Sequence, residues 1–178
     1  MTDPGRPTVR AAGFTLVEVL LVVLILGALS AISLPLLANY QLKSKTAEGK
    51  TNLGAIRVGE EDYFSEFEVY LGVDPEPATV PGATRVGFDE AGSGFADLGF
   101  DPEGNVFFSY GVAASADGVG YTADAGADID GNGIVQFWGY TKPDGSNVLV
   151  PGKVGCPVAG LVVGQIGPCD STHGSSVF

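Results

Sequence analysis

The chain has 178 residues, of which 45% are hydrophobic, so it can supply one membrane-spanning segment and one modest folded core. Acidic residues outnumber basic residues by 21 to 9, and a surface with a formal charge of −12 repels phosphate backbones, so we expect no direct nucleic-acid binding. The 27 glycines are about twice the usual share and predict a domain with many loops and short strands.

The first segment predicts a membrane helix. Residues 1–13 are polar and carry Arg6 and Arg10 against the single acid Asp3, a bias that keeps this end in the cytoplasm. Residues 19–38 contain no charged side chain, and a helix of that length spans roughly 30 Å, the hydrocarbon thickness of a bilayer. We therefore expect a single-pass protein of the cytoplasmic membrane whose remaining chain is exported. A cleaved secretory signal is the alternative, with the small residues 28–31 as its cleavage site.

A recognisable run stands at the start of this segment: Gly13-Phe14-Thr15-Leu16-Val17-Glu18. Together with the apolar residues 19–23, the run closely resembles the type IV prepilin signature, which is also found in type II secretion pseudopilins. Pro35 falls where many of these proteins place a helix-kinking proline. The resemblance implies an α+β pilin fold, in which a long N-terminal helix packs on a C-terminal antiparallel sheet of three to four strands.

The resemblance also implies roles for three residues. In that family a prepilin peptidase cuts after the residue matching Gly13 and methylates the new amine, here on Phe14. The residue matching Glu18 meets the amine of a neighbouring subunit during assembly. An ionised carboxylate costs about 3 kcal/mol at the bilayer centre unless a cation neutralises it, so such an amine would be its partner. The alternative is that Glu18 only marks the membrane boundary.

Residues 39–70 predict an amphipathic second half of the helix. Apolar residues recur near helical spacing, and charged residues fall between them. The apolar set is Leu42, Leu53, Ile56, Tyr63, Phe64 and Phe67, and the charged set is Lys43, Lys45, Lys50, Glu60, Glu61 and Asp62. Gly49, Gly54 and Gly59 each weaken the helix by about 1 kcal/mol relative to Ala, so we expect this half to depend on packing.

The chain then predicts a connection followed by strands. Residues 71–105 contain four prolines and seven glycines, which is typical of a long loop with at most short helical turns. Residues 106–114, 118–123 and 134–141 are rich in β-branched or aromatic side chains and predict the strands of an antiparallel meander. We therefore place the sheet and the C-terminal region in residues 106–178.

Cys156 and Cys169 are the two cysteines of the chain. In an exported domain the default expectation for such a pair is a disulfide, and closing a loop of this length stabilises the folded state by roughly 3 kcal/mol. A metal or redox pair is disfavoured, because neither a CxxC spacing nor clustered histidines accompany the cysteines. The placement is similar to the disulfide-closed C-terminal loop of many type IV pilins.

One acidic stretch is a candidate metal site. Asp128, Asp130 and Asn132 alternate like the first three oxygen ligands of a calcium loop. Asp124 could add a further oxygen ligand. The bidentate acid of an EF-hand is missing, since Gly139 stands at that position, so the stretch is not an EF-hand. A tight Asp-Gly or Asn-Gly turn between two strands is the alternative.

No set of residues predicts catalysis, because the single histidine, His173, lies in a polar tail without a free thiol or a phosphate-binding loop. The resemblance therefore predicts a structural subunit, in the first place a major type IV pilin that polymerises into an extracellular helical filament. Its expected partners are other copies of the chain, the prepilin peptidase and methylase, an inner-membrane assembly platform and the lipid bilayer. The alternatives are a type II secretion pseudopilin and a tethered calcium-binding or adhesive domain.

Overall fold

The computed structural model describes residues 13–170. The chain divides after Ala38 into two compact units. In chain order the elements are α1 (Leu16–Phe67), β1 (Val73–Glu76), β2 (Val86–Gly87), α2 (Glu90–Ser93), a 3₁₀ turn (Phe95–Leu98), β3 (Asn105–Val106), β4 (Ser109–Ala114), β5 (Tyr121–Ala127), β6 (Gln136–Lys142) and β7 (Gly167–Pro168).

The first unit contains the apolar part of α1, and residues 13–38 are all exposed. Judged by length and composition, the described part of the chain has one helix that could cross a membrane, and it is α1. The hydroxyls of Ser30 and Ser33 donate to the carbonyls of Leu26 and Leu29 at 2.7 and 2.8 Å. These polar groups are therefore satisfied inside the helix, as a hydrocarbon environment requires.

In the second unit, residues 39–67 of α1 pack on a sheet through a buried stripe with helical spacing: Thr46, Gly49, Leu53, Ile56, Gly59 and Glu60. Two of the glycines predicted to weaken the helix allow this close packing. A Cβ at Gly49 would lie 3.1 Å from the ring of Phe108, and a Cβ at Gly59 would collide with the carbonyl oxygen of Leu98. The helix ends at Phe67, three residues earlier than predicted, and Glu68 follows in the left-handed conformation (φ 59°).

The main sheet has five antiparallel strands in the order β1-β4-β5-β6-β7, and β2 and β3 form a separate two-stranded sheet. The α+β class is therefore confirmed, with one strand more than the three to four predicted. All seven residues of β5 are buried. Tyr121 and its alternate neighbours belong to the same core as Leu53 and Ile56, while Asp124 on the other face meets residues 153–156.

The predicted connection, residues 71–105, contributes more structure than the sequence indicated. It contains β1, which pairs with β4 at the edge of the main sheet. Pro75 fits there because an edge strand tolerates a missing N–H. The same stretch buries Phe95, Leu98 and Phe100, and the rings of Phe95 and Phe100 lie 5.4 Å apart. The predicted short helical turns are present, and the strands β1 and β2 go beyond the prediction of at most such turns.

Candidate functional site at the start of the helix

The predicted processing site lies immediately before α1. Gly13 and Phe14 precede the helix, and Phe14 is 85% exposed. Thr15 caps the helix, since its Oγ1 accepts a hydrogen bond from the N–H of Glu18 at 3.2 Å. Glu18 completes the arrangement, because its Oε2 accepts hydrogen bonds from the N–H of Thr15 at 3.2 Å and from the hydroxyl of Thr15 at 3.1 Å.

This reciprocal pair is a capping box, which supplies partners for amides that have none within the first helical turn. The spacing Thr15-x-x-Glu18 is readable from the sequence and is the signal that the sequence prediction missed. The carboxylate of Glu18 therefore stabilises the first turn of the helix on which it lies. A cut after Gly13 would put the new amine on Phe14, the residue next to the N–H that Glu18 binds.

Comparison with known proteins agrees with this local arrangement. Residues 9–34 match the family model of the prokaryotic N-terminal methylation motif, and Gly13, Phe14 and Glu18 all lie within the match. The chain is also 35% identical over 108 residues to the type IV major pilin protein PilA of Myxococcus xanthus (strain DK1622). Over the matched residues the chain is similar to type IV pilins.

The similarity to this curated relative is partial in length. It covers 60% of this chain and 39% of the relative, so the chain spans about two fifths of that protein. No solved structure matches the chain. The architecture nevertheless agrees with the pilin fold, because a long N-terminal helix packs by its second half on an antiparallel sheet.

The two cysteines of the chain are joined in a disulfide, with their Cα atoms 5.3 Å apart. The N–H of Cys169 donates to the carbonyl of Phe137 in β6 at 3.1 Å. A Cβ at Gly139, also in β6, would lie 3.0 Å from the Sγ of Cys156 and 3.2 Å from the Sγ of Cys169. Gly139, where an EF-hand would carry an acid, therefore makes room for the disulfide.

Asp124 contacts the segment that leads into this disulfide. Its Oδ1 accepts a hydrogen bond from the amide of Lys153 at 3.1 Å. Its Oδ2 accepts hydrogen bonds from the amides of Val154, Gly155 and Cys156 at 2.9 to 3.0 Å. Burial raises the pKa of the Asp124 carboxyl, although the four amides oppose that rise by stabilising the charged form. Asp124 thus fastens the residues before Cys156 to the central strand.

The other predicted calcium ligands form a tight turn. The carboxylate of Asp128 accepts hydrogen bonds from the amides of Gly131, Asn132 and Gly133 at 2.9 to 3.1 Å. Asn132 donates from Nδ2 to Asp130 at 2.7 Å. Within residues 13–170 no group of three or more His, Cys, Asp or Glu side chains is arranged to hold a metal ion. Calcium binding at Asp124, Asp128, Asp130 and Asn132 stays a prediction, which a calcium titration of the melting temperature would test.

Two sequence predictions fall outside the described residues. The cytoplasmic leader, apart from Gly13, belongs to residues 1–12, and the polar tail with His173 belongs to residues 171–178. Their predicted roles stay predictions.

Proposed function

We propose that the chain is a structural subunit of a type IV pilus. The first half of α1 holds it in the cytoplasmic membrane until the peptidase cuts after Gly13 and methylates Phe14. The subunit then joins a helical surface filament. The match to the N-terminal methylation motif and the similarity to a protein named as a major pilin support this proposal.

The observation that carries the proposal is the exposed apolar surface of residues 16–38. Side chains such as Leu24, at 72% exposure, and Ile32, at 65%, find no cover within the described chain. Apolar surface of this extent is unfavourable in water and marks a membrane or protein contact. Lipid covers it in the single subunit, and the helices of other copies cover it in the filament.

Glu18 gives this surface its specificity. Its Oε2 is engaged by Thr15 of the same chain, and among residues 13–170 its Oε1 has no hydrogen-bond donor. The methylated amine of Phe14 on an entering subunit supplies a cation for this carboxylate. In a medium of low dielectric constant such a pair is favourable only when both charges are present, so Glu18 selects correctly processed subunits.

The partners of this proposed subunit are other copies of the chain, the prepilin peptidase and methylase, the inner-membrane assembly platform and the lipid bilayer. Its role is structural and not enzymatic. The named function of the relative and the disulfide-closed C-terminal region favour a major pilin over a type II secretion pseudopilin.

The amino terminus of the mature chain tests the proposal. Intact mass and N-terminal sequencing of protein from sheared surface filaments should give N-methylated Phe14 as the first residue. Gly13→Leu should accumulate unprocessed in the membrane, because a bulky side chain obstructs the extended backbone at the cut. A tethered, uncleaved domain would instead retain Met1 in the wild type, and that result would overturn the proposal.

A further inference from the structure

Glu60 is an acid buried where the second half of α1 packs on the sheet. The residue is 0% exposed. Its Oε2 accepts a hydrogen bond from the N–H of Leu71 at 3.0 Å. This bond ties the helix to the segment that follows it, residues 68–71. Within the described chain, neither the Oε1 of Glu60 nor the buried Oη of Tyr121 in β5 has a hydrogen-bond partner.

The nearby cations are engaged elsewhere. Lys142 of β6 donates to the carboxylate of Glu61 at 3.1 Å and also to the hydroxyl of Tyr70. Arg57, one turn before Glu60 on α1, stacks its guanidinium over the ring of Tyr140 at 5.0 Å. No cation therefore neutralises Glu60 within residues 13–170.

The other groups around Glu60 are acidic or phenolic. On α1 the neighbour is Glu61, whose charge adds to the rise in the pKa of Glu60. Burial raises the pKa of the Tyr121 phenol in β5, and the charges of Glu61 and Glu60 add to that rise. The 3₁₀ turn that packs near Gly59 contributes Asp97, which is exposed. Of these groups, Glu61 carries the charge that disfavours an ionised Glu60.

We propose that Glu60 is a proton-controlled latch, which holds residues 68–71 against α1 when its carboxyl is protonated and loosens them when it is ionised. A neutral carboxyl keeps an oxygen that accepts the Leu71 N–H and places no charge in the core. An ionised carboxyl leaves a buried charge with one oxygen unpaired, and such a charge strongly favours opening to water. The latch acts within a single subunit and does not depend on filament formation.

The direction of the pH dependence follows from the pKa. Burial raises the pKa of Glu60 from 4.5 to about 7, and the Leu71 N–H only partly opposes that rise. When the folded form has the higher pKa, the stabilisation is fully present below the ordinary value and is lost as the pH rises through the folded value. The latch is therefore closed in mildly acidic medium and loosens above neutral pH.

Hydrogen exchange of the full chain in detergent micelles tests the latch. The measured quantity is the protection of the Leu71 amide between about pH 5 and about pH 8.5, corrected for intrinsic exchange. We expect wild-type protection to fall by about tenfold or more across this range. Glu60→Gln keeps an acceptor oxygen and has no titrating proton, so its protection should stay flat.

Glu66→Gln is the matched control, because it removes an equal charge from an exposed position on the same helix. It should follow the wild type. Flat wild-type protection, or an equal decline in Glu60→Gln, would overturn the proposal. If Glu60→Gln does not fold, infrared spectra of the wild type decide: the band of a buried protonated carboxylic acid must be present at about pH 6 and absent at about pH 8.5, and its absence at both refutes the latch.

Discussion

The two halves of α1 form one continuous helix but meet different surroundings. Residues 16–38 are exposed on every side and almost wholly apolar. Residues 39–67 bury only a stripe, with Leu53 and Ile56 at 0% exposure, and keep charged residues such as Asp62 in solvent. The same secondary structure therefore serves two environments, and the side-chain pattern decides which one.

The two halves share the same backbone structure and differ in what covers their apolar side chains. Backbone hydrogen bonds are satisfied equally in both halves, since an α-helix makes them within itself. The second half finds its apolar contacts in the sheet of the same chain. The first half finds no such contacts within residues 13–170, so substitutions in the two halves should affect different properties.

The largest expected effect is on assembly, from Glu18→Leu. Removing the carboxylate lowers the free energy of the first half in lipid. In the filament, however, the amine of an entering subunit would remain a buried, unpaired charge. We expect normal processing, normal abundance in the membrane and a fall of about tenfold or more in sheared filaments. Quantitative immunoblots of the sheared and membrane fractions measure this.

Glu103→Leu provides the control for the loss of a charge, since Glu103 is an exposed acid of the second unit. Its filament yield should match that of the wild type. Wild-type yield from Glu18→Leu would mean that Glu18 only marks the membrane boundary.

The next effect concerns the second unit alone. Replacing both Cys156 and Cys169 with Ser should lower its free energy of unfolding by about 2–4 kcal/mol, because the unfolded chain gains freedom when the loop opens. Denaturant unfolding in detergent, followed by Trp138 fluorescence, measures this change. The wild type with reductant should behave like the double variant. Rapid alkylation of both cysteines without reductant would contradict the disulfide.

A matched pair of glycine substitutions compares how much the stability of the second unit depends on each half of α1. Gly59→Ala should destabilise the second unit by about 1–3 kcal/mol, because the new Cβ meets the backbone of Leu98. Gly27→Ala should leave the unfolding of that unit unchanged, since a Cβ at Gly27 meets nothing within 4 Å. Thermal melting of both variants in the same detergent compares them. Equal melting temperatures would show that the helix does not need the close approach at Gly59.

The smallest expected effect is at the capping box. Thr15→Ala should lower the stability of the first turn of α1 by about 1 kcal/mol, while the charge of Glu18 is kept. Hydrogen exchange of the amides of residues 16–19 should become faster by about fivefold, and Thr15→Ser should restore the wild-type rates because serine also caps. A uniform change along the whole helix would contradict a local cap.

Strong periodic signals made most of the fold predictable. The long helix and the central strands β4 and β6 carry runs of apolar or aromatic residues, and the prepilin-like run locates the candidate site. The limits of β5 were less predictable, because residues 123–127 are Ala, Asp and Gly, which have little preference for strands. These small residues fit because both faces of β5 are covered.

The sequence analysis did not predict contacts between residues that lie far apart along the chain. Strand β1 carries Pro75 and forms only because β4 offers a partner, and the Gly167–Pro168 strand likewise depends on β6. Asp124 lies near Asp128 in sequence, so both were grouped as oxygen ligands, yet the amides that Asp124 binds are 29 to 32 residues away. The spacing of residues along the sequence does not predict which distant residues will contact each other.

Both edge strands of the five-stranded sheet contain a proline, which affects how copies of the chain can associate. The outer strands β1 and β7 carry Pro75 and Pro168, and each pairs with one neighbour within the described chain. A residue without an N–H interrupts the row of backbone hydrogen bonds that a strand from another molecule would need. The edge strands are also short, so few residues are available for such pairing. Sheet-to-sheet fusion, the route to amyloid-like aggregates, is therefore discouraged even where many copies are crowded side by side. In the filament proposed above, contacts between copies would then fall to the helix.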